Sequence, residues 1–542
     1  MIVAEAVGQT LARLGAGPVF GVVGSGNFHV ANALRAAGVA FYATRHEGGA
    51  ATAADACARM SGRVAIVSTH QGCGLTNAVT GIGEAAKSRT PLLVLTADTP
   101  AADPLNNFRV DQDGLARAVG AVAERVHGPE TAVADTVRAY RTAAHERRTV
   151  VLNLPLDVQA MPAHTPETVA PDEEPAVPAP DPAAVAALAG LLAAAERPVF
   201  IAGRGGRRAA AEIRALAGAC GALLASSAVA HGLFHDDPWA LGISGGFSSP
   251  LTAELIHGAD LVVGWGCALN RWTTRHGKLI GPGARIAQVD LEASALGAHR
   301  PIDVGVLGDS AATARAVMAE LGGRVASGYR SPGLGARIAE RARWSTADYT
   351  DASTADLIDP RTLSAQLDRI LPAERVVSVD SGNFMGYPSA YLGVPDEFGF
   401  CFTQAFQSIG LGLATAIGAA LAQPARLPVA ALGDGGFHMA AAELETAVRL
   451  GLPLVVIVYN DAAYGAEVHH FTGDLTTVRF PPTDIAAIAR GFGCTGVTVR
   501  TTGDLKPVAE WLDGPRSSPL VIDAKIVDDG GSWWLAEAFH GH

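Results

Sequence analysis

Residues 427–465 read LPVAALGDGGFHMAAAELETAVRLGLPLVVIVYNDAAYG, and this stretch decides the fold. An apolar run, 427–432, stops at Gly433-Asp434-Gly435-Gly436. Phe437, Ala440, Ala441, Leu444, Ala447 and Val448 then recur at helical spacing before a second apolar run, 452–458. The pattern predicts strand, turn, helix and strand in succession. The glycines let the backbone approach a ligand closely, and the helix N-terminus behind them favours an anion. Asp434 and Asp461 end the two strands, where parallel neighbours bring them together. Two oxygen ligands beside an anion-binding turn describe a magnesium diphosphate site, because that small hard cation prefers oxygen and keeps phosphates in its shell.

Outside this stretch the same alternation repeats. In residues 1–160, apolar runs at 18–23, 40–43, 63–68, 92–96 and 150–154 read as strands between helical periods. Such alternation means a parallel sheet covered by helices on both faces. Seven prolines between 161 and 182, with Asp and Glu among them, make a semi-rigid spacer. A second α/β pattern spans 183–323, with strands at 199–202, 261–264 and 285–289, and a Gly- and Arg-rich patch, 322–343, leads into a third unit at 356–530. Three doubly wound α/β domains result, and chemistry in such sheets sits at the C-terminal ends of the strands.

With 49% hydrophobic and 17% charged residues, the chain reads as a well-packed globular protein. A formal charge of −12 argues against a nucleic-acid surface, which needs clustered Lys and Arg. The six cysteines form no Cys-x-x-Cys pair, so neither zinc nor a disulfide framework is indicated, and they fit buried thiols in a reducing cytoplasm. No basic-then-apolar leader opens the chain and no run of 18 uninterrupted apolar residues occurs, so neither secretion nor membrane spanning is expected.

Gly-Asp-Gly followed beyond a helix by Asn-Asn or Asn-Asp resembles the diphosphate motif of thiamine-diphosphate enzymes. The resemblance implies that Gly433, Gly435, Gly436 and Asn460 belong to the cofactor site, and that Asp434, Asp461 and the Ala463 carbonyl hold magnesium. Many relatives carry Asn where this chain has Asp461, so an extra negative charge stands here. In the first domain Arg45-His46-Glu47-Gly48-Gly49-Ala50 resembles the catalytic glutamate segment of the same family, with Ala50 opening a small-residue helix. Glu47 would share a proton with a pyrimidine nitrogen, so that the cofactor's own amino group can deprotonate the thiazolium carbon. The bland alternative is a Glu favoured by the helix dipole.

Ser68 to Asn77, STHQGCGLTN, resembles the family's Gly-Pro-Gly-Ala-Thr-Asn segment, with Cys73 for Pro and Leu75 for Ala, and places Asn77 at the cofactor. His70 and Ser25, the latter in Gly24-Ser25-Gly26, are similar to the active-site histidine and serine of benzoylformate decarboxylase. In the third domain QAFQSIGLGLATAIGAALA, 404–422, implies Ile409 as the wedge that bends the cofactor and the Gln407 carbonyl as acceptor for its amino group. Glu467 falls where pyruvate decarboxylases carry an active-site glutamate. Neither Gly21-x-x-Gly24-x-Gly26 nor Gly203-x-Gly205-Gly206 has dinucleotide spacing. Acetolactate synthases hold a flavin on the middle domain, and Leu269-Asn270-Arg271-Trp272 sits where they carry a different, Arg-containing segment, so the resemblance leaves FAD open without supporting it.

The resemblance covers the whole chain: a pyrimidine-binding domain, a flavin- or nucleotide-type middle domain and a diphosphate-binding domain. It implies decarboxylation of a 2-oxo acid with transfer of the enamine to an aldehyde or a second 2-oxo acid, as in acetolactate synthase. The alternatives are a plain decarboxylase releasing an aldehyde, or a relative that binds the cofactor without turnover. It also implies a homodimer or homotetramer, with the pyrimidine domain of one chain facing the diphosphate domain of another.

Overall fold

The computed structural model describes residues 1–163, 169–173, 176–323 and 328–538, with side chains through Leu535. It holds three six-stranded sheets, all parallel. The first contains β1 (Val19–Gly21), β2 (Phe41–Ala43), β3 (Ala65–Thr69), β4 (Leu92–Asp98), β5 (Val122–Arg125) and β6 (Thr149–Pro155), in the order β2-β1-β3-β4-β6-β5. The middle sheet runs β12-β11-β10-β7-β8-β9, from β7 (Pro198–Ala202), β8 (Leu223–Ser226), β9 (Ala240–Ile243), β10 (Leu261–Trp265), β11 (Arg285–Asp290) and β12 (Val304–Leu307). The third contains β13 (Arg375–Val379), β14 (Phe400–Phe402), β15 (Leu427–Gly433), β16 (Val455–Asn460), β17 (Thr495–Val499) and β18 (Leu520–Lys525), in the order β14-β13-β15-β16-β18-β17. The first and third sheets therefore have one and the same topology.

Central strands such as β4 and β6 are buried along their whole length, which is why each carries an apolar run, 92–95 in β4 and 150–152 in β6. Six helices carry or flank the candidate residues: α1 (Glu47–Ser61), α2 (Cys73–Lys87), α3 (Gly412–Ala422), α4 (Asp434–Ala440), α5 (Glu443–Arg449) and α6 (Gly465–His470). Small residues let α1 and α3 meet closely across the first and third domains. A Cβ on Gly418 would lie 2.0 Å from the Ala53 carbonyl oxygen.

Several local expectations change. The helix behind the glycine turn starts at Asp434 and breaks between Ala440 and Glu443, and α1 starts at Glu47 instead of Ala50. Of the stretch 404–422 only 412–422 is helical, and Gln407 takes φ 58°. Cys73 is exposed at the start of α2, unlike the five buried cysteines. Residues 164–168 and 174–175 of the proline-rich spacer, and 324–327 of the Gly- and Arg-rich patch, lie outside the described residues. Within that patch Pro332–Arg341 is a helix whose Leu334 and Ile338 pack on the middle-domain core, so that unit continues beyond 323. No helix among the described residues is long and apolar enough to cross a membrane.

Candidate active site

β15 and β16 pair in parallel with Gly433 opposite Tyr459, so Asp434 and Asp461 emerge side by side, within hydrogen-bonding reach of each other. Burial raises the Asp434 carboxyl above its ordinary range, and burial together with the charge of Asp434 raises Asp461. A buried and a half-buried acid in contact make a place that suits a cation between them. The glycines are needed for this packing: a Cβ on Gly465 would lie 2.4 Å from Asp461 Oδ2, and one on Gly435 would lie 2.5 Å from Tyr464 Cε1. Ala462, at φ 55°, turns the chain so that Phe480 N donates to Ala462 O (2.8 Å) and Tyr464 N to Val478 O (2.9 Å). Neither bond uses the Ala463 carbonyl, and Ala463 faces the same cavity as both acids. Two carboxylates, a carbonyl and an adjoining helix N-terminus fit a hard divalent cation carrying a diphosphate. The Asn460 side chain is turned elsewhere: its Nδ2 donates to Asp523 Oδ1 (2.8 Å) and its Oδ1 accepts from Ala462 N (3.1 Å).

The cavity holds about 1320 Å³. Gly433, Gly435 and Gly436 line it, and so do Gln407, Ile409 and Glu467. Ile409 is half-buried and opens to the cavity instead of filling the core. Its loop is held by Asp380, whose carboxylate accepts from Gly410 N (2.9 Å) and Leu411 N (3.2 Å). Burial pushes Asp380 up to about 6. Asp380 escapes the motifs, although a valine-rich stretch, Val376-Val377-Ser378-Val379, ending in Asp380-Ser381-Gly382 partly repeats the signal of the main stretch. On α6 the Glu467 side lines the cavity, while His469 faces Asp529 (3.4 Å). Residues that follow strands of the middle sheet, among them Arg204, Arg207, Asn270 and Trp272, also line the cavity.

The first-domain candidates gather in a separate group. Glu47 is the first residue of α1, behind His46, whose Nδ1 accepts from Gly48 N at 3.0 Å. Glu47 Oε2 accepts from Asn77 Nδ2 at 3.0 Å. His70 Nδ1 lies 2.9 Å from the Gln71 carbonyl, and its Nε2 3.3 Å from Ser25 Oγ. A carbonyl only accepts, so Nδ1 carries a proton towards Gln71, and Nε2 faces the Ser25 hydroxyl, which can both donate and accept. Glycines make room for this pair: a Cβ on Gly24 would lie 2.6 Å from His70 Cδ2. One on Gly74 would touch both His70 Cβ (3.1 Å) and Glu47 Oε1 (3.4 Å). Among the described residues Ser25, Glu47, His70 and Asn77 do not line the cavity that holds Asp434 and Asp461 of the same chain.

Comparison with known proteins gives three consecutive matches. Residues 1–116 match the N-terminal TPP binding domain of thiamine pyrophosphate enzymes, 185–317 the central domain and 380–524 the C-terminal TPP binding domain. The chain is 30% identical to a sulfoacetaldehyde acetyltransferase of Castellaniella defragrans, over 94% of this chain and 90% of that one. It is also 30% identical to a probable 2-ketoarginine decarboxylase of Pseudomonas aeruginosa, over 92% and 89%. A putative acetolactate synthase large subunit of Mycobacterium tuberculosis is 27% identical, over 91% and 92%. With all three domains matched in order on three parallel sheets, the chain belongs to the thiamine pyrophosphate enzymes.

Proposed function

We propose that this enzyme decarboxylates a 2-oxo acid and transfers the remaining fragment to a second carbonyl compound, with magnesium as the metal. When bound, thiamine diphosphate would supply the nucleophilic thiazolium carbon and the sink for the electron pair left behind when carbon dioxide departs. Asp434, Asp461 and the Ala463 carbonyl hold the cation, and the N-terminus of α4 receives the diphosphate. Ile409 and the Gln407 carbonyl orient the rings. Glu47, set by Asn77, holds and returns the proton at the pyrimidine nitrogen. The Ser25–His70 pair stands near Glu47 as a donor and acceptor for the substrate carboxylate or oxygen.

The observation that carries this reading is the shared cavity of Asp434, Asp461, Ala463, Gln407, Ile409 and Glu467. Because Glu47 and His70 stand outside it in their own chain, a complete site needs a second copy, and the enzyme works as a homodimer or a multiple of it. Release of the fragment as an aldehyde is the second reading. It is favoured by Glu467, a carboxyl group at the cavity able to deliver a proton.

Incubation with thiamine diphosphate, magnesium and a panel of 2-oxo acids, with and without aldehydes, followed by mass identification of products, tests both. A ligation product supports the first reading; aldehyde alone with every acceptor replaces it by the second. Mixing Glu47→Gln chains with Asp434→Ala chains should restore activity through one intact site per dimer, and an active monomer by light scattering would contradict the shared site.

A further inference from the structure

The first and third domains exchange two buried carboxylates. Glu443, on α5 and 3% exposed, reaches into the first domain, where its Oε1 accepts from His46 N (3.0 Å) and Arg45 N (3.1 Å). Its Oε2 accepts from the Thr446 hydroxyl (2.6 Å). Those two amides belong to the residues immediately before Glu47, and a Cβ on Gly49 would lie 2.3 Å from Glu443 Oε1. Glu84, on α2 and fully buried, reaches the other way. Its Oε1 accepts from Ala405 N (3.1 Å) and its Oε2 from Phe406 N (2.6 Å), directly before Gln407 and Ile409. Arg59 Nη2 donates to Glu84 at 2.8 Å, and Arg59 Nη1 to the Phe402 carbonyl at 3.1 Å.

The exchange follows from the repeated topology. Glu84 lies on the helix after β3, and Glu443 on the helical segments after β15, the strand equivalent to β3. Each holds the segment that precedes the other domain's helix α3 or α1, and these helices follow the equivalent strands β14 and β2. Both contacts end on backbone amides, so they fix chain position irrespective of the side chains there. A buried carboxylate held by several donors moves little, and a misplacement of about 1 Å at a reacting group costs about a hundredfold in rate.

We propose that Glu443 and Glu84 are reciprocal positioning residues: Glu443 sets the placement of Glu47, and Glu84 sets that of the Gln407–Ile409 loop. The proposal rests on the reading of Glu47 and Ile409 given above. Amide hydrogen exchange and the rate at which the thiazolium C2 proton of bound thiamine diphosphate exchanges with deuterium oxide test it without a known substrate. Glu443→Ala should raise amide exchange over residues 44–50 and lower C2 exchange about ten- to a hundredfold. Glu443→Gln can still accept from both amides and donate to the Thr446 hydroxyl, so it should restore both readouts to near wild type. Glu84→Gln must face one amide with its own NH2 group, and should raise amide exchange over 404–411 while leaving 44–50 unchanged. Amide exchange at wild-type levels in Glu443→Ala, or a Glu443→Gln as impaired as Glu443→Ala, overturns the proposal. If Glu47→Gln leaves C2 exchange unchanged, the reading of Glu47 has failed instead, and amide exchange alone then decides whether the two carboxylates hold these segments.

Discussion

Glu47→Gln separates proton sharing from every other role of this residue. Glu47 Oε2 accepts from Asn77 Nδ2 at 3.0 Å, and Gly74 packs close behind Oε1. An amide of the same shape turns its oxygen to Asn77, keeps that bond, and presents an NH2 group where the carboxyl would exchange a proton. Size, helix start and the Asn77 contact persist, so the diphosphate and magnesium contacts proposed for the third domain should be unaffected. Loss of a positioned proton-transfer group costs about 10²- to 10⁴-fold, or about 2.7–5.4 kcal/mol of barrier. The C2 exchange rate of bound thiamine diphosphate, followed by NMR, should fall by that factor. Calorimetric affinity for the cofactor should stay within about threefold, well under 1 kcal/mol. Wild-type C2 exchange in the variant would refute the proton-sharing role and leave Glu47 as a helix-initiating residue.

Three further outcomes are expected. Burial, and for Asp461 also the charge of Asp434, raises both carboxyls, so the folded cofactor-free chain binds protons that the unfolded chain has released. Its stability therefore falls as pH rises from about 4 towards neutrality, and magnesium with thiamine diphosphate should raise the melting temperature more at about pH 7.5 than at about pH 5; an equal rise at both would contradict the site. Gly418→Ala drives a methyl to 2.0 Å from the Ala53 carbonyl oxygen, so α1 and α3 must part, at a cost of about 1–3 kcal/mol in denaturant unfolding; unchanged stability would mean the helices are not in that contact. Glu467→Gln should shift products towards ligation by removing a proton donor, and His70→Ala should slow consumption of the 2-oxo acid about tenfold or more; unchanged ratio and rate would return both residues to structural roles.

The legible part of the fold is the part with a buried apolar signature. β4, β6, β15 and β16 are covered on both faces, so their runs stand out without any knowledge of partners. β5, with the sequence VAER, and β17, with TGVTV, are the outermost strands of their sheets and half-exposed in part, so neither alternation nor an apolar run marks them. The break between α4 and α5 is equally silent, because Ala441 and Ala442 are good helix formers on propensity alone. The glycine turn announces Asp434, and the strand after it announces Asp461, since both lie at strand ends. Asn460 shows the limit of that rule: one residue earlier on the same strand, its side chain is held by Asp523.

What stays hidden is the way the two thiamine-binding domains hold each other, and the reason is chemical. Glu443 meets His46 across 397 residues of chain, and Glu84 meets Ala405 across 321, in each case through a backbone amide. An amide is the same at every non-proline position, so the recipient residue leaves no mark, and the donor reads as one more Glu on a helix. Only the arrangement of the sheets distinguishes them. Once β1–β6 and β13–β18 are seen to share one strand order, the helices after β3 and after β15 occupy equivalent places, and a carboxylate on each faces the segment leading into α3 or α1. The contacts proposed to place Glu47 and the Gln407–Ile409 loop thus belong to a repeat in topology that residue identities along the chain do not express.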